Sequence, residues 1–215
     1  MERPGDRCEF CERRAQGAQG REEKYQQLVQ AFSLRRGAPA DAAGRASLRK
    51  AEQRMRELFK AKGGSGRFDY PPEDLLESHS WWYIPYGGVG CSGFIVDKKS
   101  GYVDWLGSGI GIDLSHCFWG HDRGLYCDLV DFTFDVNTDT QLAMRLFALF
   151  RHTHSIGGGP PLSEPVWYRK SELESEFARQ FPAFRRHFFW PHIPDLRRAH
   201  ENEGLRFSCC VSKGA

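Results

Sequence analysis

The segment YCDLVDFTFDV, from Tyr126 to Val136, alternates apolar and polar residues over most of its length. Tyr126, Val130, Phe132, Phe134 and Val136 fall on one side and Asp131, Thr133 and Asp135 on the other, with Asp128 as a polar interruption of the apolar side. A period of two belongs to a strand with one buried and one wet face. Sheets built from such strands are antiparallel and need cover on one face only.

The flanking sequence supplies that cover. Thr138 with Gln141 has the spacing of a capping box for a helix through TDTQLAMRLFALFR, whose Leu142, Ala143, Leu146, Phe147 and Phe150 form an apolar face. Ser171 with Glu174 has the same spacing and opens a second helix through Phe177 and Phe181, interrupted at Pro182 and continued for another turn or two by FRRHFF. WWYIPY (Trp81–Tyr86) reads as a strand ended or edged by Pro85, and FIVDKKSGYVDW as a hairpin turning at DKKSG. LRFSCCV (Leu205–Val211) reads as a closing strand. The order predicts an α+β fold, a mainly antiparallel sheet with helices packed on one face.

Ahead of this part lies a different kind of sequence. Tyr25, Leu28, Val29 and Phe32 follow the i, i+3, i+4, i+7 rule of a helix. After RRGAPAD, Asp41 is placed to cap a second helix with Leu48, Ala51, Met55, Leu58 and Phe59 in one stripe. The two read as a basic helical hairpin, ended by GGSG at Gly63–Gly66. The domains expected are therefore residues 1–66, a polar N-terminal stretch plus the hairpin, and residues 67–215, the α+β domain. Residues 1–66 hold 15 Lys+Arg against 9 Asp+Glu, and residues 67–215 hold 15 against 19. Opposite signs point to mutual attraction or to separate partners. The basic part has only Phe10, Tyr25, Phe32 and Phe59 as aromatics, a sparse endowment for direct nucleic-acid contact.

No apolar run is long enough to span a bilayer, and MERPGDRCEF lacks the apolar core of an export signal. A cytoplasmic location is expected, with the seven scattered cysteines reduced.

The densest chemistry lies in DLSHCFWGHDRGLYCD, from Asp113 to Asp128. His116 and His121 could ligate a metal from a loop, and His121 beside Asp122 could act as an oriented general base. The plainer reading is a turn, with Gly120 and Gly124 allowing positive φ, Trp119 covering the core edge and Asp122 and Arg123 facing water. Cys8 and Cys11 in CEFC have the spacing of a zinc-ligand pair but lack a second pair in the chain. Gly88, Gly90 and Gly93 match G-x-G-x-x-G by accident, since a strand-like FIVD follows where a helix is required.

Three functional expectations follow. The first is a non-catalytic protein-binding or inhibitor protein, of the kind that neutralises a cognate toxin as immunity proteins do. It would meet a basic partner protein through acids such as Asp104, Asp113, Asp122, Asp128, Asp131 and Asp135, with His121 and Arg123 beside them and Trp81, Trp82 and Trp119 as aromatic anchors. No cofactor belongs to it. The second is a small metal-dependent hydrolase using His116, His121 and Asp122, and zinc on Cys8 and Cys11 is the alternative metal site. The third is a regulatory or nucleic-acid adaptor acting through the basic hairpin.

Overall fold

Residues 9–61, 69–86, 92–106, 113–125, 129–147, 170–187 and 193–211 are described by the computed structural model of the protein. They form a mixed α+β structure with two sheets. The chain divides into two compact units, Met1–Gly87 with Gly93–Val103 and Gly88–Ser92 with Asp104–Ala215. The first unit therefore runs on past the GGSG stretch and takes in the first strands.

In the first unit, α1 (Glu9–Ala31) buries Tyr25 and Leu28, as its periodicity requires. It stops where Ser33 adopts φ 50°, and the next residues form a two-residue strand, β1 (Arg35–Arg36), where a plain hairpin turn was expected. Then α2 (Ala42–Ala61) begins behind Asp41, whose Oδ1 accepts the Gly44 N–H at 2.7 Å. That bond is the main reason the Asp41 carboxyl is held below its ordinary pKa. Ala51 and Met55 are the buried residues of α2, which packs on the sheet strand β4. The second helix of the expected hairpin is thus also the cover of a sheet.

That sheet orders β1, β2 (Leu76–Glu77), β3 (Trp81–Pro85) and β4 (Gly93–Asp97) in sequence, and β5 (Val103–Leu106) begins at the last residue of this unit, its residues from Asp104 on belonging to the second. The pairings from β1 to β4 are antiparallel, with Arg36 opposite Leu76, Leu76 opposite Tyr83 and Tyr83 opposite Ile95. Pro85 closes β3, where its missing N–H costs least. Arg36 fastens the β1 edge: it lies 5.1 Å over the Tyr25 ring, donates to the Glu73 carbonyl at 2.7 Å and reaches Asp74 at 3.2 Å.

The second unit holds α3 (Leu114–His121), β6 (Leu129–Phe134), α4 (Thr140–Phe147), α5 (Lys170–Gln180), β7 (Ala183–His187), α6 (Ile193–Asn202) and β8 (Phe207–Val211). Its sheet runs β7-β6-β8, antiparallel throughout. The alternating segment is the central strand, and Phe132 and Phe134 are buried as read. Val136 is not: the strand ends at Phe134 and Val136 is 78% exposed in the turn that follows. In that turn Asp135 accepts the Asn137 N–H at 2.8 Å.

Three local readings change. The cap of α4 is Asp139, which accepts the Gln141 N–H at 2.8 Å, while the Thr138 hydroxyl donates to the Arg206 carbonyl at 3.1 Å. Ser171 lies one residue inside α5. The residues after Pro182 form β7 instead of more helix, because β6 takes an edge partner there. Helix α6, unforeseen, starts with Pro194 in its first turn, buries Ile193, Leu196 and Ala199, and exits at Gly204 with φ +77°. Among the described residues no helix is long and apolar enough to cross a membrane.

Candidate interface around helix α3

The cluster read as a turn is a helix. Asp113 caps it, its Oδ1 accepting the Ser115 N–H at 2.9 Å, and two turns follow to His121. Gly124 ends the segment with φ +74°, placing the Leu125 N–H 2.9 Å from the Gly120 carbonyl. Positive φ is therefore needed at Gly124, as expected, whereas Gly120 is an ordinary buried helical residue. Gly124 also has a packing reason: an added Cβ would lie 2.6 Å from the Cys209 carbonyl oxygen of β8.

Most of the chemistry-bearing side chains of α3 face inward. Cys117, Phe118, Trp119 and His121 are buried. His121 Nε2 lies 3.1 Å from Asp104 Oδ2, with side-chain exposures of 0% and 3%. Asp104 is thus an interior group rather than part of an acidic surface. In β5 it shares the buried side with Leu106, while Val103 and Trp105 are half-buried. Burial, with the Asp104 and Asp113 charges behind it, pushes the Cys117 thiol up to about 12, so it is protonated at neutral pH.

His116 sits elsewhere on the helix. Five residues separate it from His121, roughly 140° of helical rotation, and the charges around it are Arg197, Asp113 and Glu201. The two imidazoles named for a metal or hydrolytic site do not share one environment. Burial, then Arg197, holds the His116 pKa below its ordinary value. His200 of α6 is lowered in the same way by burial and then Arg123.

Past the end of α3, Arg123 folds back. Its guanidinium lies 4.2 Å over the Trp119 ring and Nη1 donates to the Trp119 carbonyl at 3.2 Å. The Arg123 carbonyl accepts from the Cys209 thiol at 2.7 Å. Trp119 meets His200 at 5.7 Å and Phe207 at 6.3 Å between ring centroids. The sequence offered no sign of His200, because α6 itself was not foreseen.

The three tryptophans named as surface anchors are all interior: Trp81 is 1% exposed, Trp82 0% and Trp119 2%. Trp82 donates its indole N–H to Ser47 Oγ at 3.0 Å. Amphipathic indoles with a satisfied or stacked edge are as useful in a core as at an interface. Asp122 is exposed and Arg123 half-buried. Asp131 stands on β6 opposite Arg185 and Cys210 in register. Asp128 and Cys8, and the side chains of Asp131 and Cys11, lie outside the described residues. Among the described residues, no group of three His, Cys, Asp or Glu side chains is placed to hold a metal ion.

Family models, curated proteins and solved structures were all compared with the chain, and none matches it.

Proposed function

We propose that the protein is a non-catalytic protein-binding or inhibitor protein of the immunity type, which meets a basic surface of its partner through the acids at the two ends of α3. The observation that supports this reading is the division of labour in that helix. Its thiol and its second imidazole are spent on the interior, while Asp113 and Asp122 stay exposed at ends about 13 Å apart along the axis. Exposed carboxylates of one sign steer a basic partner and set its register. Half-buried Arg123, already ordered on Trp119, lies beside Asp122 and contributes a fixed edge to the same surface. A basic protein partner, the lack of any needed cofactor and a reducing, cytoplasmic setting for the free thiols of Cys117, Cys209 and Cys210 belong to this proposal.

Native mass spectrometry of the protein from its own cells tests it. A stoichiometric basic polypeptide, lost from the Asp113→Lys/Asp122→Lys variant, is the expected result. A metal-bearing species that loses its metal on His116→Ala or His121→Ala would replace this reading with the hydrolase.

The hydrolase has one observation in its favour, the Asp104–His121 pair, which is how a general base is oriented. That imidazole has no exposed surface, however, and a base must come within hydrogen-bond reach of a substrate proton.

A further inference from the structure

We propose that the concavity between α2 and the turn after β4 binds an acidic peptide segment of a protein partner. The site lies in the first compact unit and does not depend on the α3 reading. The concavity measures about 470 Å³. Lys50 and Arg54 line it from α2, Lys98 and Lys99 from the turn, and Asp97 is the one carboxylate among its lining residues.

The balance of charge is more one-sided than this composition implies. Asp97 Oδ1 accepts from the Lys99 N–H at 3.0 Å, the Ser100 N–H at 2.5 Å and the Ser100 hydroxyl at 2.6 Å, so it is occupied in holding the turn. Lys98 is compensated by Glu77 at 2.7 Å and lies 4.9 Å over the Trp82 ring. Arg54 reaches Glu57 at 3.1 Å, but both side chains are more than half exposed, a geometry that adds little. Lys50 and Lys99 have no ion-pair partner among the described residues.

The turn is also drawn close to the helix. Gly101 adopts φ +72°, and a Cβ there would meet Arg54 Nε at 3.3 Å. Cations from both walls therefore face one small space. Lys50 and Arg54 are like charges at i, i+4, an arrangement that costs a helix stability when nothing bridges it. Lys50, Arg54 and Lys99 are exposed and not required by the core, so their shared sign points to an anionic occupant.

The occupant is a peptide rather than a nucleic acid. Trp82, the aromatic of the site, is fully buried under Lys98 and offers no face for a base, and single-strand binding relies on such faces. Duplex binding needs a longer row of cations than one concavity holds. Ser47, Gln53 and Ser100 add neutral hydrogen-bonding groups among the cations, which suits spaced carboxylates on a peptide backbone.

The test is fluorescence anisotropy of the full chain with a labelled Glu/Gly-alternating peptide and, in parallel, an oligothymidylate of equal length. Lys50→Glu/Lys99→Glu is expected to weaken peptide binding about tenfold or more, and Lys50→Gln/Lys99→Gln to weaken it by a smaller factor. Lys60→Glu/Arg179→Glu, an equal change of net charge elsewhere, is expected to stay within about twofold of wild type. Equal losses in both charge-reversal variants, peptide binding indifferent to Lys50 and Lys99, or tighter oligothymidylate binding through the same lysines would each overturn the proposal. The glutamine variant keeps the result readable if charge reversal disturbs folding.

Discussion

In helix α3, Cys117 and His121 are turned into the interior, Ser115 and His116 are half-buried, and the fully exposed residues are the capping Asp113 and Asp122 at its two ends. In helix α2 the reverse holds: Ala51 and Met55 are the buried residues, and Lys50 and Arg54 stand exposed beside a concavity. The first segment is rich in residue types that do chemistry and uses most of them as packing. The second contains no motif at all, yet it collects like charges around one space. Residue type marks which groups could react; the face of the element decides which of them anything can reach. A dense motif on a short, largely buried helix is therefore weaker evidence of a site than sparse cations on two walls that converge.

The contrast is sharpest for the tryptophans. Trp119 is 2% exposed and packs on His200 and Phe207, so Trp119→Ala is expected to cost about 3–5 kcal/mol of stability. Lys50→Ala, at an exposed position, is expected to stay within about 0.5 kcal/mol. Urea denaturation of the two variants measures both. A Trp119→Ala protein as stable as wild type, with partner binding lost, would return this residue to the surface and break the comparison.

Gly124 gives a smaller and more local effect. Alanine there meets both φ +74° and a Cβ contact of 2.6 Å with the Cys209 carbonyl, so the α3–β8 contact must open. A loss of about 1–3 kcal/mol is expected, together with faster hydrogen exchange at the α3 amides. At Gly204, where φ is also positive but a Cβ would meet nothing within 4 Å, alanine is expected to cost less. Equal costs at the two glycines would mean that backbone conformation alone matters and that the close approach to β8 does not.

Local rules carried part of this far in the sequence. The alternation at Phe132 and Phe134, the helical stripe at Tyr25 and Leu28, the cap at Asp41 and the positive φ at Gly124 each depend on residues within a turn of themselves, and each is present. What failed depends on distant chain. Thr138 was a reasonable cap until its hydroxyl was taken by the Arg206 carbonyl, 68 residues away, which left Asp139 to do the capping. The residues after Pro182 became strand because β6 pairs with them. Asp104 was read as a surface acid because charge usually means exposure; its burial depends on His121, which reaches it only through the fold. The basic concavity was invisible for the same reason, since Lys50 and Lys99 are neighbours only once α2 lies on β4.

The smallest effect concerns the imidazoles that line α3 and α6. His116 faces Arg197, Asp113 and Glu201, and His200 faces Arg123, Arg206 and Glu201. Both have folded pKa values below the ordinary 6.5, through burial first and neighbouring arginines second. The unfolded chain therefore takes up these protons before the folded one does. The stability owed to the neutral rings is complete above about pH 6.5 and is lost as pH falls from there through the lowered folded values. Thermal melts between pH 7.5 and 5 are expected to drop in wild type and to drop less in His116→Gln/His200→Gln, within a window that stays above the range of ordinary carboxylates. The α2 side supplies the control: Lys50→Gln leaves both imidazoles in place, so its melts should parallel those of wild type. A double-histidine variant with the wild-type slope would show that α3 and α6 are as open to water as α2, and the difference between the two regions would then rest on Cys117 and His121 alone.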